Sequence, residues 1–65
     1  MDIKERVQLI RSVYFYVLRI RDSNGILKYE ISGHNDKEVY FIMLKKKFIE
    51  PEIKYEIQRR LLDMA

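Results

Sequence analysis

The chain has 65 residues and a mass of 8.0 kDa, with no Cys, one Pro, two Gly, 48% apolar and 35% charged residues, and a formal charge of +3. A sequence this short carries one core and buries roughly 60% of its unfolded surface on folding. These residues therefore leave no room for a second domain, and the lack of thiols excludes disulfides and thiolate metal shells. A core this small points to support from self-association or a partner.

The predicted elements begin with an N-terminal helix. Ile3, Val7 and Ile10, continued by Tyr14 and Val17, recur at spacings of four and three, with Lys4, Glu5, Gln8 and Arg11 elsewhere. That pattern predicts a helix over 2–11 with Asp2 as its N-cap. Its end is left open, because Val13 to Val17 is rich in β-branched and aromatic residues.

Asn24-Gly25 predicts a two-residue type I′ hairpin turn, since both residues tolerate a positive φ. Counting outward places Ile20 opposite Tyr29, Arg19 opposite Glu30 and Leu18 opposite Ile31, within strands over 13–22 and 26–32. Leu18, Ile20, Leu27, Tyr29 and Ile31 then share a packed face, and Arg19, Arg21, Lys28 and Glu30 a wet one. The like-charged pair Arg21 and Lys28 is the blemish in this register.

Asn35 or Asp36 is placed to cap a following helix, with Glu38 completing a near capping box. Val39 to Leu44 is apolar all round a helical projection, which predicts an enclosed central helix, a buried strand being the competing reading. Lys45, Lys46 and Lys47 would sit in its last turn, complementing the helix dipole. Glu50-Pro51-Glu52 marks a break and a new start, and a last helix over 51–63 follows. Ile53, Ile57, Leu61 and Met64 form its packing stripe, with Tyr55 and Leu62 opposite. The expected fold is α+β: an N-terminal helix, an antiparallel β-hairpin and two C-terminal helices packed on the hairpin.

The chemistry-bearing residues favour binding over catalysis. His34, Asp36 and Glu38 alternate, but they fall where a turn and a helix start use such residues as caps, and no second His or Cys completes a metal shell. There is no Cys or Thr nucleophile, and Ser12, Ser23 and Ser32 lie at predicted boundaries. Glu52 and Glu56 are four apart on a charged helix face, and Gly25 and Gly33 alone make no phosphate loop. The sequence thus predicts no enzyme, no cofactor, no metal and no small-molecule substrate.

Two surfaces remain. Phe15 would fall on the wet hairpin face, and Tyr55, Leu62 and Arg59 on the outer side of the last helix. Aromatic, leucine and arginine side chains together have the composition of a protein interface. The leading expectation is a small regulatory or accessory protein that binds another protein and itself, as a homodimer. The alternative is a basic DNA- or RNA-binding regulator using Arg19, Arg21, Lys28, Lys45, Lys46, Lys47, Arg59 and Arg60. The longest apolar runs, Val13 to Leu18 and Val39 to Leu44, are far short of the ~20 residues that cross a bilayer. The N-terminus enters mixed charge without an apolar leader, so no membrane partner and a cytoplasmic location are expected.

Overall fold

A computed structural model describes the backbone of residues 1–62 and the side chains through Leu61. The order is α1 (Ile3–Arg6), β1 (Val7–Arg11), β2 (Tyr16–Arg21), β3 (Leu27–Gly33), α2 (Asp36–Leu44) and α3 (Pro51–Leu62). The three strands form one antiparallel sheet in the order β1-β2-β3. The α+β class is as expected, but the hairpin forms two strands of a three-stranded sheet, with β3 at one edge and the additional β1 at the other.

The added strand comes from the predicted first helix. Asp2 caps α1, its carboxylate accepting the Glu5 N–H at 3.0 Å, yet the helix lasts one turn and Val7 is already extended. The spacing of Ile3, Val7 and Ile10 fits a helix, but Val7 and Leu9 also alternate with Gln8 and Ile10. Pairing decides between them: Val7 faces Ile20 and Leu9 faces Leu18, so β1 places a β-branched side chain in the core and completes its backbone hydrogen bonds on β2. Residues 13–15, expected as the start of the first hairpin strand, lie outside β2 and belong to a tight turn. The Ser12 N–H donates to the Phe15 carbonyl at 2.9 Å, and the Ser12 hydroxyl accepts from the Phe15 N–H at 3.2 Å. Val13 and Tyr14 are left at an exposed tip.

The second connection differs from the expected type I′ turn. Asp22 and Ile26 close a loop of Ser23, Asn24 and Gly25, with the Asp22 N–H donating to the Ile26 carbonyl at 2.9 Å. Gly25 alone takes the left-handed conformation there, at φ 86°, as in hairpins with a three-residue loop. The longer loop offsets the register by one, so Arg21 faces Leu27; an irregularity at Ile20/Arg21 then lets Lys28 bulge out, and Ile20 faces Tyr29. The body of the hairpin therefore keeps the expected register. The Arg21–Lys28 clash is avoided, and Leu27 is turned to solvent instead of the packed face.

The core lies between one face of the sheet and the helices. Val7, Leu18, Ile20 and Ile31 meet Val39 and Met43 of α2, Ile49, and Ile53, Ile57 and Leu61 of α3. Asn35 caps α2, accepting the Glu38 N–H at 2.9 Å. Gly33 permits the close approach of α2, since a Cβ there would stand 3.1 Å from Val39 Cγ2. Pro51 opens α3, and the Glu50 carbonyl accepts from the Ile53 and Lys54 N–H groups, each at 3.0 Å. The stripe Ile53, Ile57 and Leu61 is buried as predicted; Met64 lies outside the described residues.

Two arginines tie these layers together. Arg6, buried, donates from Nε to the Arg21 carbonyl at 2.9 Å and from its two Nη groups to the Glu50 carboxylate at 3.3 and 2.7 Å. Arg60 donates to the Val7 and Lys4 carbonyls and, through Nε, to Glu56 at 2.7 Å. The end of β2, the junction of α1 with β1 and both ends of α3 are thereby held in fixed relation.

Candidate interaction surface

The predicted enclosure of α2 does not occur. Val39 and Met43 are fully buried, but the helix lies against the sheet and α3 on that side only. At helical spacing Lys37, Phe41, Leu44 and Lys45 share the opposite stripe, where Phe41 is 61% and Leu44 46% exposed. The Tyr40 and Phe41 rings tilt against each other at 6.4 Å. An apolar group on every side of 39–44 was thus the mark of a helix with one face in the core and another bare.

The chain beyond α2 is bare as well, though it is not loose. Lys45 is the C-cap rather than part of the last turn, its N–H donating to the Ile42 carbonyl at 3.1 Å, and the Lys46 N–H donates to the Met43 carbonyl at 3.0 Å. The Tyr29 hydroxyl holds the Lys47 carbonyl, Ile49 is buried in the core, and Glu50 is clamped by Arg6. Between these anchors stands Phe48, at φ 64° and 94% exposed. The left-handed conformation costs an L-residue with a Cβ about 1 kcal/mol, and solvent recovers nothing from a bare phenyl ring.

Phe48 stands at the rim of a hollow of about 360 Å³. Ile20, Tyr29, Ile49 and Ile53 contribute apolar surface to it, and Arg21 and Lys28 lie on its border. Two carboxylates also border it, and both are held. Glu50 lies below the usual carboxylate range because of its hydrogen bonds to Arg6. Asp22 is lowered by the backbone N–H groups of Ile26 and then Asn24. Among the described residues, Lys28, Lys45, Lys46 and Lys47 have no carboxylate within salt-bridge distance, whereas Arg6, Arg11, Arg19, Arg59 and Arg60 do.

The residues expected from sequence are spread over several places. Phe15, 47% exposed, lines a shallow hollow with Val17, Glu30, His34 and Glu38 at the far end of the sheet. Tyr55, 68% exposed, lines a separate groove with Met1, Ile3, Pro51 and Glu52. The two do not meet. Arg59 is hydrogen-bonded to Glu56 at 2.7 Å, and the side chain of Leu62 lies outside the described residues. Of the basic set, Arg19 is bonded to Glu30 at 2.8 Å on the open sheet face, Arg21 to the Gly25 carbonyl at 3.1 Å, and Arg60 is the clamp already described. Lys28 lines the hollow with Phe48, and the segment Lys45–Lys47 that leads into Phe48 is tied beside it by the Tyr29 bond to the Lys47 carbonyl. Phe41, Leu44 and Phe48 were missed because local pattern reports apolarity, whereas their exposure follows from how α2 docks.

Among the described residues, no three His, Asp or Glu side chains lie close enough to hold an ion, and Asn35, Asp36 and Glu38 serve the start of α2. No helix in that part of the chain is long and apolar enough to cross a membrane. Compared with known proteins, the chain matches no family model, no curated protein and no solved structure.

Proposed function

We propose that this chain is a non-enzymatic binding module that acts by occupying the surface of another protein with Phe41, Leu44 and Phe48. The observation that carries this reading is Phe48: a strained backbone, tied on both sides, that holds a phenyl ring in water. Strain maintained by its surroundings without any benefit to the isolated fold is characteristic of functional positions. Rigid exposed aromatics are also the anchors on which interfaces depend.

Regulation by contact fits a small domain better than catalysis, because the surface requires only shape, apolar area and charge. Self-association is part of the proposal, since the Val13–Phe15 tip and the Tyr55 groove leave further apolar surface to cover. The experiment compares wild type with Phe48→Asn as bait for partner capture, with light scattering of each. Wild type should be a dimer and retain a discrete partner that Phe48→Asn loses while staying folded. Equal retention by both baits would refute the reading.

A further inference from the structure

Resting on the binding reading above, we infer that the partner presents an acidic segment with one apolar anchor. The anchor seats in the hollow beside Phe48, and the flanking carboxylates meet Lys28, Lys45, Lys46 and Lys47.

The first reason is how the chain sorts its charges. Among the described residues, five arginines pair with four carboxylates: Arg6 with Glu50, Arg11 with Asp36, Arg19 with Glu30, and Arg59 and Arg60 with Glu56. The lysines around Phe48 are left without such partners among the described residues, and their field adds at one end of the molecule. Carboxylates on a docking segment would supply what the chain itself withholds there.

The second reason is the shape of that end. The hollow of about 360 Å³ has apolar surface from Ile20, Ile49 and Ile53, with Tyr29 and Phe48 beside it. Ile20, Ile49 and Ile53 are nearly closed to water already, so an anchor entering it would cover chiefly Tyr29 and the bare Phe48 ring, as aromatic anchors are covered at interface hot spots. On the border Glu50 is offset by the Arg6 guanidinium, whereas Asp22 keeps its negative charge against Lys28, so the excess positive charge offered to an acidic ligand is that of Lys45, Lys46 and Lys47. A bilayer surface has no protruding side chain to fill a hollow. Nucleic acid would place phosphates on the lysines and a base against the Phe48 or Tyr29 ring, but the hollow itself, floored by Ile20, Ile49 and Ile53, offers a base neither stacking nor hydrogen bonds. A protein segment uses both features.

The test uses labelled synthetic peptides: a Glu-rich peptide with one central Phe, the same peptide with Ser for that Phe, and a Lys-for-Glu version. A mixed-sequence single-stranded oligonucleotide completes the set. Binding is read by fluorescence anisotropy and by amide shifts in NMR spectra. The acidic Phe peptide should bind, shift Tyr29, Phe48 and Ile49, and weaken about tenfold on raising salt, as exposed charge pairs are screened. Lys46→Glu/Lys47→Glu, which leaves the Lys45 cap in place, should weaken it about tenfold as well; Lys28→Glu is the second variant should that one misfold. The Ser and Lys-for-Glu peptides should not bind. Failure of the acidic Phe peptide to bind, equal binding of the Lys-for-Glu peptide, or tighter oligonucleotide binding at the same amides would overturn the inference. If Phe48→Asn abolishes partner capture and Lys46→Glu/Lys47→Glu does not, the acidic partner is refuted while the binding module stands.

Discussion

Replacing Phe48 by Asn should make the protein more stable. Phe48 holds a φ of 64° and is 94% exposed, so its removal forfeits almost no packing. Asn, unlike Phe, enters the left-handed region readily through local hydrogen bonding of its side chain. The gain is the relieved strain, about 0.5–1 kcal/mol. For a domain of this size that raises Tm by roughly 2–8 °C. Phe48→Ala is the control: it removes the ring without relieving the backbone and should stay within about 0.5 kcal/mol of wild type. Urea unfolding followed by circular dichroism, with thermal melts of the three proteins, measures this. A Phe48→Asn variant less stable by about 1 kcal/mol or more would show that the ring supports the fold, and the functional argument from Phe48 would fail.

Two further variants probe the frame that holds this surface. Glu56 is buried and its carboxylate accepts from Arg59 and Arg60, which lowers its pKa, the Arg59 bond leading. A carboxyl depressed in the folded state contributes stability that is complete above about pH 5 and disappears as pH falls through the folded pKa. The urea midpoint should therefore fall on acidification, and Glu56→Gln should be less stable at pH 7 by about 1–2 kcal/mol, with a shallower acid decline. Gly33→Ala would bring a Cβ to 3.1 Å from Val39 Cγ2 and 3.2 Å from Glu38 Cβ. It should cost about 1–2 kcal/mol by pushing α2 off the sheet, while Ser32→Ala on the exposed neighbour should be near neutral in the same urea titration.

What the sequence disclosed was whatever depends on neighbours along the chain. The Asn35 cap, the Pro51 start, the Ile53–Ile57–Leu61 stripe and the pairing of Leu18 with Ile31 all follow from local chemistry or simple periodicity. The rest depends on partners far away. Val7 to Arg11 satisfies both a helical and an alternating pattern, and only β2 decides between them. Val13 and Tyr14 carry no turn residues, because the Ser12 hydroxyl closes that turn from outside it. The bulge at Lys28 is a consequence of the longer Asp22–Ile26 loop, which Asn24-Gly25 alone does not specify. The candidate surface was least legible. Phe41 and Leu44 fall in a run whose apolarity predicts an enclosed helix, Phe48 falls in no predicted element, and arginines expected to bind nucleic acid are engaged with Glu30, Glu56 and backbone carbonyls.

The most direct test of a binding role for the Phe48 face is site-specific photocrosslinking. A benzoylphenylalanine in place of Phe48 keeps an aromatic ring at the site, and the same group at exposed Lys54 on α3 serves as the control. Exposed to a cell extract and irradiated, the position-48 protein should yield a discrete protein adduct, competed by unlabelled wild type and weak or absent from position 54. Equal adducts from both positions, or none from position 48, would contradict the account.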